Sequence, residues 1–289
     1  MAAWTDRYWN SADGLKLHYR DYDGPRDRPP IVCLHGLTRN ARDFEPVADR
    51  FAGEWRVIAV DFRGRGLSDH DPKPEQYLPI VYATDILKML DQLGIADAVF
   101  IGTSLGGIVT MVLAGSDNER IAGALLNDIG PEIDQAGIDR IGSYVGIEAR
   151  YADWPAVAEA LATRNRDKFP YWGTDEWGRH ARRIARAGDD GVIGYDYDMA
   201  IADNFHAAAD APPMNAWPYY QALEGRPVTI LRGELSDLLD ARIAERMASE
   251  LNDAELVTVP AVGHTPNLEE PESLAAIERL LDRVLARDA

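Results

Sequence analysis

The 289-residue chain predicts an α/β fold: a mostly parallel, doubly wound sheet with a helical segment inserted late in the alternation. Short apolar runs that read as strands alternate with longer stretches of helical periodicity. A parallel sheet needs that order, because each crossover helix covers one of its faces. The alternation stops after Pro131 and resumes at Pro227. Within it, Gly102-Thr103-Ser104-Leu105-Gly106 lies where a strand-like run meets a helix-like one. That is the setting of a sharp turn which lifts a serine hydroxyl above a sheet.

The elements follow in order. Tyr8 to Asn10 and Leu15 to Tyr19 alternate about Asp13-Gly14, the dipeptide of a tight hairpin turn. Ile31-Val32-Cys33-Leu34 is a short apolar strand ending at His35-Gly36, and Arg56 to Val60 is another ending at Asp61. Tyr82 to Leu93 carries apolar residues at helical spacing, with Gly94 as its stop. Ala98 to Ile101 is the strand before the serine turn and Leu105 to Ala114 the helix after it; Gly123 to Asn127 is a further strand ending at Asp128. Past Pro131 no strand-like run occurs until Pro227-Val228-Thr229-Ile230-Leu231; a helix near Arg242 to Leu251, the strand Glu255 to Val259 and a helix from Pro271 complete the chain. The predicted division is therefore a core of 1–131 and 217–289, with 132–216 as a helical cap inserted into it. That insertion is rich in rings, among them Tyr144, Trp154, Phe169, Trp172 and Tyr195, and such a cap would enclose a site at the carboxyl ends of the strands. Its aromatic, Pro-punctuated make-up, with Ala211-Pro212-Pro213-Met214 and Trp217-Pro218, hints at a bulky or aromatic substrate.

Composition narrows the class. An apolar content of 46% suits a packed domain, and no stretch approaches the ~20 apolar residues of a membrane span. Lys and Arg number 30 against 48 Asp and Glu, a formal charge of −18 that opposes nucleic acid and anionic membrane as partners. The run Arg179 to Arg186 reads as a solvated helix face, and so do Arg150, Arg164 and Lys168 taken singly. A single cysteine, Cys33, inside an apolar strand, permits no internal disulfide, and the first residues lack a signal-peptide pattern. A cytoplasmic protein is expected; its oligomeric state is not indicated.

A serine hydroxyl becomes a nucleophile only when an oriented base takes its proton. Of six histidines, His264 has the placement for that base, in the loop after the last strand. Two aspartates beyond strand ends can orient it, Asp237 and Asp128, with Glu234 as a third option. Asp237 is preferred because it gives the chain order Ser, Asp, His. The amides of Leu37, in the loop after His35-Gly36, and of Leu105, after the serine, are the candidate oxyanion donors. No zinc-ligand spacing, phosphate loop or dinucleotide fingerprint occurs, so neither a metal nor an organic cofactor is expected.

These pieces together resemble the α/β-hydrolase fold, in particular its cap-bearing esterases, lactonases and carbon–carbon bond hydrolases. The resemblance rests on His35-Gly36, Asp61 to Ser68, Gly102 to Gly107, Arg232-Gly233-Glu234 with Asp237, and Gly263-His264, which occur in family order across nearly the whole chain. It implies Ser104 as nucleophile, Asp237 as acid, His264 as base, and Leu37 and Leu105 as oxyanion donors. Some members of the fold place the acid at the position of Asp128. The Asp61 to Ser68 loop is implied to be structural. The implied reaction is hydrolysis of a small carboxylic ester or lactone through an acyl-enzyme. Hydrolysis of a carbon–carbon bond in a dienoic ketone is the alternative, and a cationic cap residue facing the serine would favour it. A non-catalytic small-ligand receptor is a third reading.

Overall fold

The computed structural model describes residues 1–209 and 215–287. Strands β1 (Trp4–Asn10) and β2 (Lys16–Tyr22) form the antiparallel hairpin, its turn closed by the Ser11 amide donating to the Leu15 carbonyl. β3 (Ile31–Leu34), α1 (Glu45–Phe51), β4 (Val57–Val60), α2 (Pro79–Leu93), β5 (Ala98–Thr103), α3 (Leu105–Asp117) and β6 (Ile121–Asn127) then alternate. After the insertion come α8 (Trp217–Gln221), β9 (Val228–Gly233), α9 (Ala241–Glu250), β10 (Ala254–Val259) and α10 (Pro271–Arg287). The eight-stranded sheet runs β1-β2-β4-β3-β5-β6-β9-β10, with β1 and β2 antiparallel to their neighbours and the rest parallel.

Strand periodicity builds two apolar layers, since successive side chains leave opposite faces of a strand. Val32 and Leu34 join Ile58, Val60, Phe100, Leu126 and Ile230 on the face covered by α2, α3 and α9. Ile31 and Cys33 join Val57, Ala59, Val99, Ile101 and Leu125 on the face covered by α1 and α10. Cys33 is wholly buried, as a core residue should be. The strands β3 to β6 carry no exposed residue, which is why they read as unbroken apolar runs.

Between β6 and α8 the described residues add no strand to this sheet. They form α4 (Gln135–Gly142), α5 (Trp154–Asn165), α6 (Thr174–Ile184), α7 (Ile201–Ala209) and a separate antiparallel pair, β7 (Ala185–Ala187) and β8 (Ile193–Tyr195). The small pair was not expected: three-residue strands carry too few alternating positions to register as a pattern. Ala211 to Met214, part of the stretch on which the hint of a bulky substrate rested, lie outside the described residues; Trp217 and Pro218 open α8.

The insertion is tied across the loops that leave the strands. Asn40, after β3, donates to the Arg183 carbonyl at 2.9 Å. The Gly66 amide, after β4, donates to the Asp196 carbonyl, and the Gly263 amide, after β10, to that of Lys168 at 2.7 Å. The run Arg179 to Arg186 is correspondingly solvated only in part: Arg179, Arg182 and Arg186 are exposed, while Arg183 turns inward. Arg183 is only 11% exposed, and Arg186 pairs with the buried Asp196 at 2.6 Å.

Candidate active site

Ser104 stands between β5 and α3 with φ +52°, a conformation L-residues rarely adopt. The turn is held by its neighbours. A side chain at Gly106 would run into the Leu34 carbonyl, and one at Gly102 would lie 2.5 Å from the Gly106 carbonyl oxygen. The Ser104 amide donates to the Asn127 carbonyl of β6, and its carbonyl accepts from Gly107 at the start of α3. The serine is thus fixed at the carboxyl end of the sheet, on the amino end of a helix.

The Ser104 hydroxyl donates to His264 Nε2 at 3.0 Å, and His264 Nδ1–H donates to Asp128 Oδ2 at 2.8 Å. Because a carboxylate only accepts, this contact places the imidazole hydrogen on Nδ1 and leaves Nε2 facing the serine. Asp128 is fully buried immediately after β6, at φ +57°. It also receives the Gly233 amide at 2.9 Å and the Ser236 hydroxyl at 2.7 Å.

Asp237, expected to orient His264, does not touch it. Its carboxylate takes a bidentate pair from Arg140 at 2.6 and 2.9 Å and lies 3.4 Å from Lys168 Nζ. Arg140 and Lys168 belong to the insertion, so two cations draw Asp237 away from the histidine. They also hold its carboxyl below the ordinary range against the opposing effect of burial. The orienting contact belongs to Asp128. Glu234 accepts the Ala261 amide at 2.7 Å and supports the loop before His264.

Gly36 lies against Ser104, a Cβ on it falling 3.7 Å from the serine Cβ, which brings Leu37 to the site's edge. Among the described residues neither the Leu37 nor the Leu105 amide has an acceptor within the protein. His35 supports that loop from below. Phe62 N–H donates to its Nε2 at 3.0 Å, so its hydrogen is on Nδ1 and goes to the Gly36 carbonyl at 2.7 Å. Burial pushes the His35 pKa down to about 4, so the ring is neutral.

The Asp61 to Ser68 loop braces the same region. Asp61 accepts from the Ala41 and Leu67 amides at 2.6 and 3.0 Å, and Arg63 is bidentate to Asp85. Arg65 donates to the Leu37 carbonyl at 2.9 Å, a contact to the candidate oxyanion loop that no local pattern announces. Asn127 and Ser236 are likewise unannounced: Asn127 donates to the Pro266 carbonyl beside His264, and Ser236 to Asp128. Each connects segments more than a hundred residues apart, so spacing along the chain carries no trace of it.

A cavity of about 140 Å³ opens over Ser104 and His264. Its apolar wall includes Phe44, Tyr144, Leu161, Phe169 and Tyr195; its polar wall includes Arg39, Arg140, Arg164 and Arg183. Arg164 is solvent-exposed as expected and also lines this cavity, whereas Arg150 pairs outside with Asp190 at 2.9 Å. Among the described residues no cluster of three or more His, Cys, Asp or Glu could hold a metal ion. No helix among them is long and apolar enough to cross a membrane.

An eight-stranded sheet with a serine on a strained strand-to-helix turn and a histidine beside it defines a class, and the comparisons with known proteins give the same one. Residues 31–277 match the model of the alpha/beta hydrolase family, and the chain belongs to that family. An alpha/beta hydrolase from Novosphingobium aromaticivorans superposes with a TM-score of 0.94 at 50% identity, covering 98% of this chain and 99% of that one. A 3-hydroxybutyrate-oligomer hydrolase of Cupriavidus necator is 32% identical over 267 residues, 90% of each chain. A 2-(acetamidomethylene)succinate hydrolase of Mesorhizobium japonicum is 31% identical over 258 residues, 88% of each chain. The protein is a hydrolase of the alpha/beta family.

Proposed function

We propose that this hydrolase cleaves a short carboxylic ester through an acyl-enzyme formed on Ser104. The observation that carries the reading is the continuous series from the Ser104 hydroxyl through His264 to buried Asp128, at 3.0 and 2.8 Å. His264 Nε2 takes the hydroxyl proton as Ser104 attacks the carbonyl. Asp128 holds the tautomer and steadies the imidazolium that forms. The amides of Leu37 and Leu105 receive the developing negative charge; in such sites one donor is worth about 3–4 kcal/mol. His264 then protonates the departing alcohol and activates the water that frees the acid. Neither metal nor organic cofactor enters this sequence of steps.

The segment 132–216 acts in this reading as a cap that excludes water from the acyl-enzyme. A cavity near 140 Å³ accommodates a ligand about the size of benzene, so the acyl group is short. A relative that hydrolyses 3-hydroxybutyrate oligomers supports an ester as the bond cleaved. The working environment is the cytoplasm, in keeping with one buried thiol. Carbon–carbon hydrolysis is the second reading: Arg164 on the cavity wall favours it, and the small cavity disfavours a dienoic ketone.

Initial rates on nitrophenyl esters from acetate to laurate, with simple lactones, test the reading in wild type and Ser104→Ala. The expected result is turnover highest for acetate and butyrate, lost at least about a thousandfold in the variant with its melting temperature unchanged. Undiminished turnover in a folded Ser104→Ala protein would overturn it.

A further inference from the structure

The wall of the Ser104 cavity has a charge opposite to that of the chain. Four arginines and one carboxylate, Asp43, line it, in a protein of formal charge −18. Two of the four are committed. Arg39 is bidentate to Asp43 at 2.7 and 2.6 Å, and Arg140 is bidentate to Asp237. Arg183 has its nearest carboxylates, Glu45 and Glu269, at 3.8 and 3.6 Å, beyond hydrogen-bond length. Arg164, near the end of α5, lies over the Tyr144 ring with 5.2 Å to its centroid and has no carboxylate partner among the described residues.

A second observation comes from His180 on α6, also on the cavity wall. Arg39 can only donate, and its Nη1 lies 3.1 Å from His180 Nε2, so the imidazole hydrogen is on Nδ1. Burial, reinforced by Arg39 and Arg183, holds the His180 pKa well below its ordinary value and keeps the ring neutral. Its Nδ1 is buried without a hydrogen-bond partner in the protein. A buried donor left unsatisfied is uncommon, and because His180 lines the cavity a small turn of its ring would let a bound oxygen atom satisfy it.

From the unpaired guanidinium of Arg164 and the free donor of His180 we infer that the cavity takes short esters bearing a carboxylate, with Arg164 as the residue that selects for it. The inference deepens the reading above and rests on it for the bond cleaved, though not for the charge preference. A guanidinium offers a carboxylate two parallel donors, a charge-assisted pair stronger than neutral hydrogen bonds. The acidic surface repels anions at a distance, so the selection acts once the substrate is inside the cavity and is read in KM.

The test pairs two ethyl esters that differ chiefly in a terminal carboxylate, monoethyl succinate and ethyl butanoate, followed by pH-stat at low salt. The expected kcat/KM is about tenfold higher or more for the succinate monoester. Arg164→Gln should raise KM for that ester about tenfold with kcat kept, leave ethyl butanoate within about twofold, and Arg164→Lys should restore part of the loss. Equal or better turnover of ethyl butanoate, or an Arg164→Gln loss shared by both esters, overturns the inference. Calorimetric titration of Ser104→Ala protein with the two esters reads the preference without turnover. If neither ester is hydrolysed but the succinate monoester alone binds, and binds through Arg164, the ester chemistry fails and the charge selection stands. If both bind equally, the charge selection fails whatever the chemistry.

Discussion

At the scale of single residues, the two aspartates that flank the histidine loop answer to different partners. Asp128 is fully buried and receives three donors. An asparagine there keeps its carbonyl oxygen on the Gly233 amide and turns its NH2 group toward His264 Nδ1, which disfavours the tautomer with hydrogen on Nδ1. Asp128→Asn should therefore lower kcat about 10³- to 10⁴-fold on a short ester, as expected when a histidine loses the acid that fixes its tautomer. Asp237→Asn should change kcat by less than about tenfold, while lowering the urea midpoint through the loss of about 1–3 kcal/mol of charge-assisted bonding to Arg140 and Lys168. Kinetics and urea unfolding of the two variants side by side check this; the reverse ranking in kcat would make Asp237 the acid. Sequence alone ranked the two the other way. Chain order favoured Asp237, and nothing local shows that Arg140, 97 residues away, draws its carboxylate aside.

At the scale of the element, the turn between β5 and α3 sets two effects against each other at Gly106. Alanine in place of a helical glycine ordinarily gains about 1 kcal/mol in propensity. Here the new methyl group would overlap the Leu34 carbonyl of β3, a backbone atom that cannot step aside without moving the strand. The overlap, at about 1–3 kcal/mol or more, should win. Gly106→Ala is expected to lose stability in chemical denaturation and to lose activity as Ser104 is displaced; a gain in stability would show that β3 yields easily. The glycines of this turn were legible because their need is local: strand, turn and helix are contiguous in sequence. The small β7–β8 pair and the role of Arg183 were not, because three-residue strands carry no period and an arginine run reads the same on a wet face or a docked one.

At the scale of the whole molecule, stability should depend on pH through a histidine that takes no part in the proposed proton transfers. The folded-state pKa of His35 is about 4, below the usual value near 6.5 that the unfolded chain will show. Between those values the unfolded state binds the proton and the folded state does not, so the native state loses stability as pH falls. The contribution is complete above about pH 6.5 and lost by about pH 4, amounting to roughly 3 kcal/mol; His180, shifted the same way, adds to the trend. Urea midpoints at pH 7.5, 6 and 4.5 should fall in that order, and less steeply in a folded His35→Gln variant. A midpoint constant down to pH 5 would contradict the assignment.

The sequence by itself determined the layered α/β architecture, the order of most of its elements, and the positions of Ser104 on a strand-to-helix turn and His264 beyond the last strand. Those features follow from periodicity and from steric demands between residues close in the chain. The tertiary structure alone decided which aspartate meets the histidine and what lines the cavity. β6 and β9 are neighbours in the sheet, so Asp128 and the Ser236–Asp237 turn arrive at one place from chain positions a hundred residues apart. Which carboxylate then faces the imidazole depends on the backbone angle at Asp128 and on the cations that the insertion presents to Asp237, and neither is encoded locally.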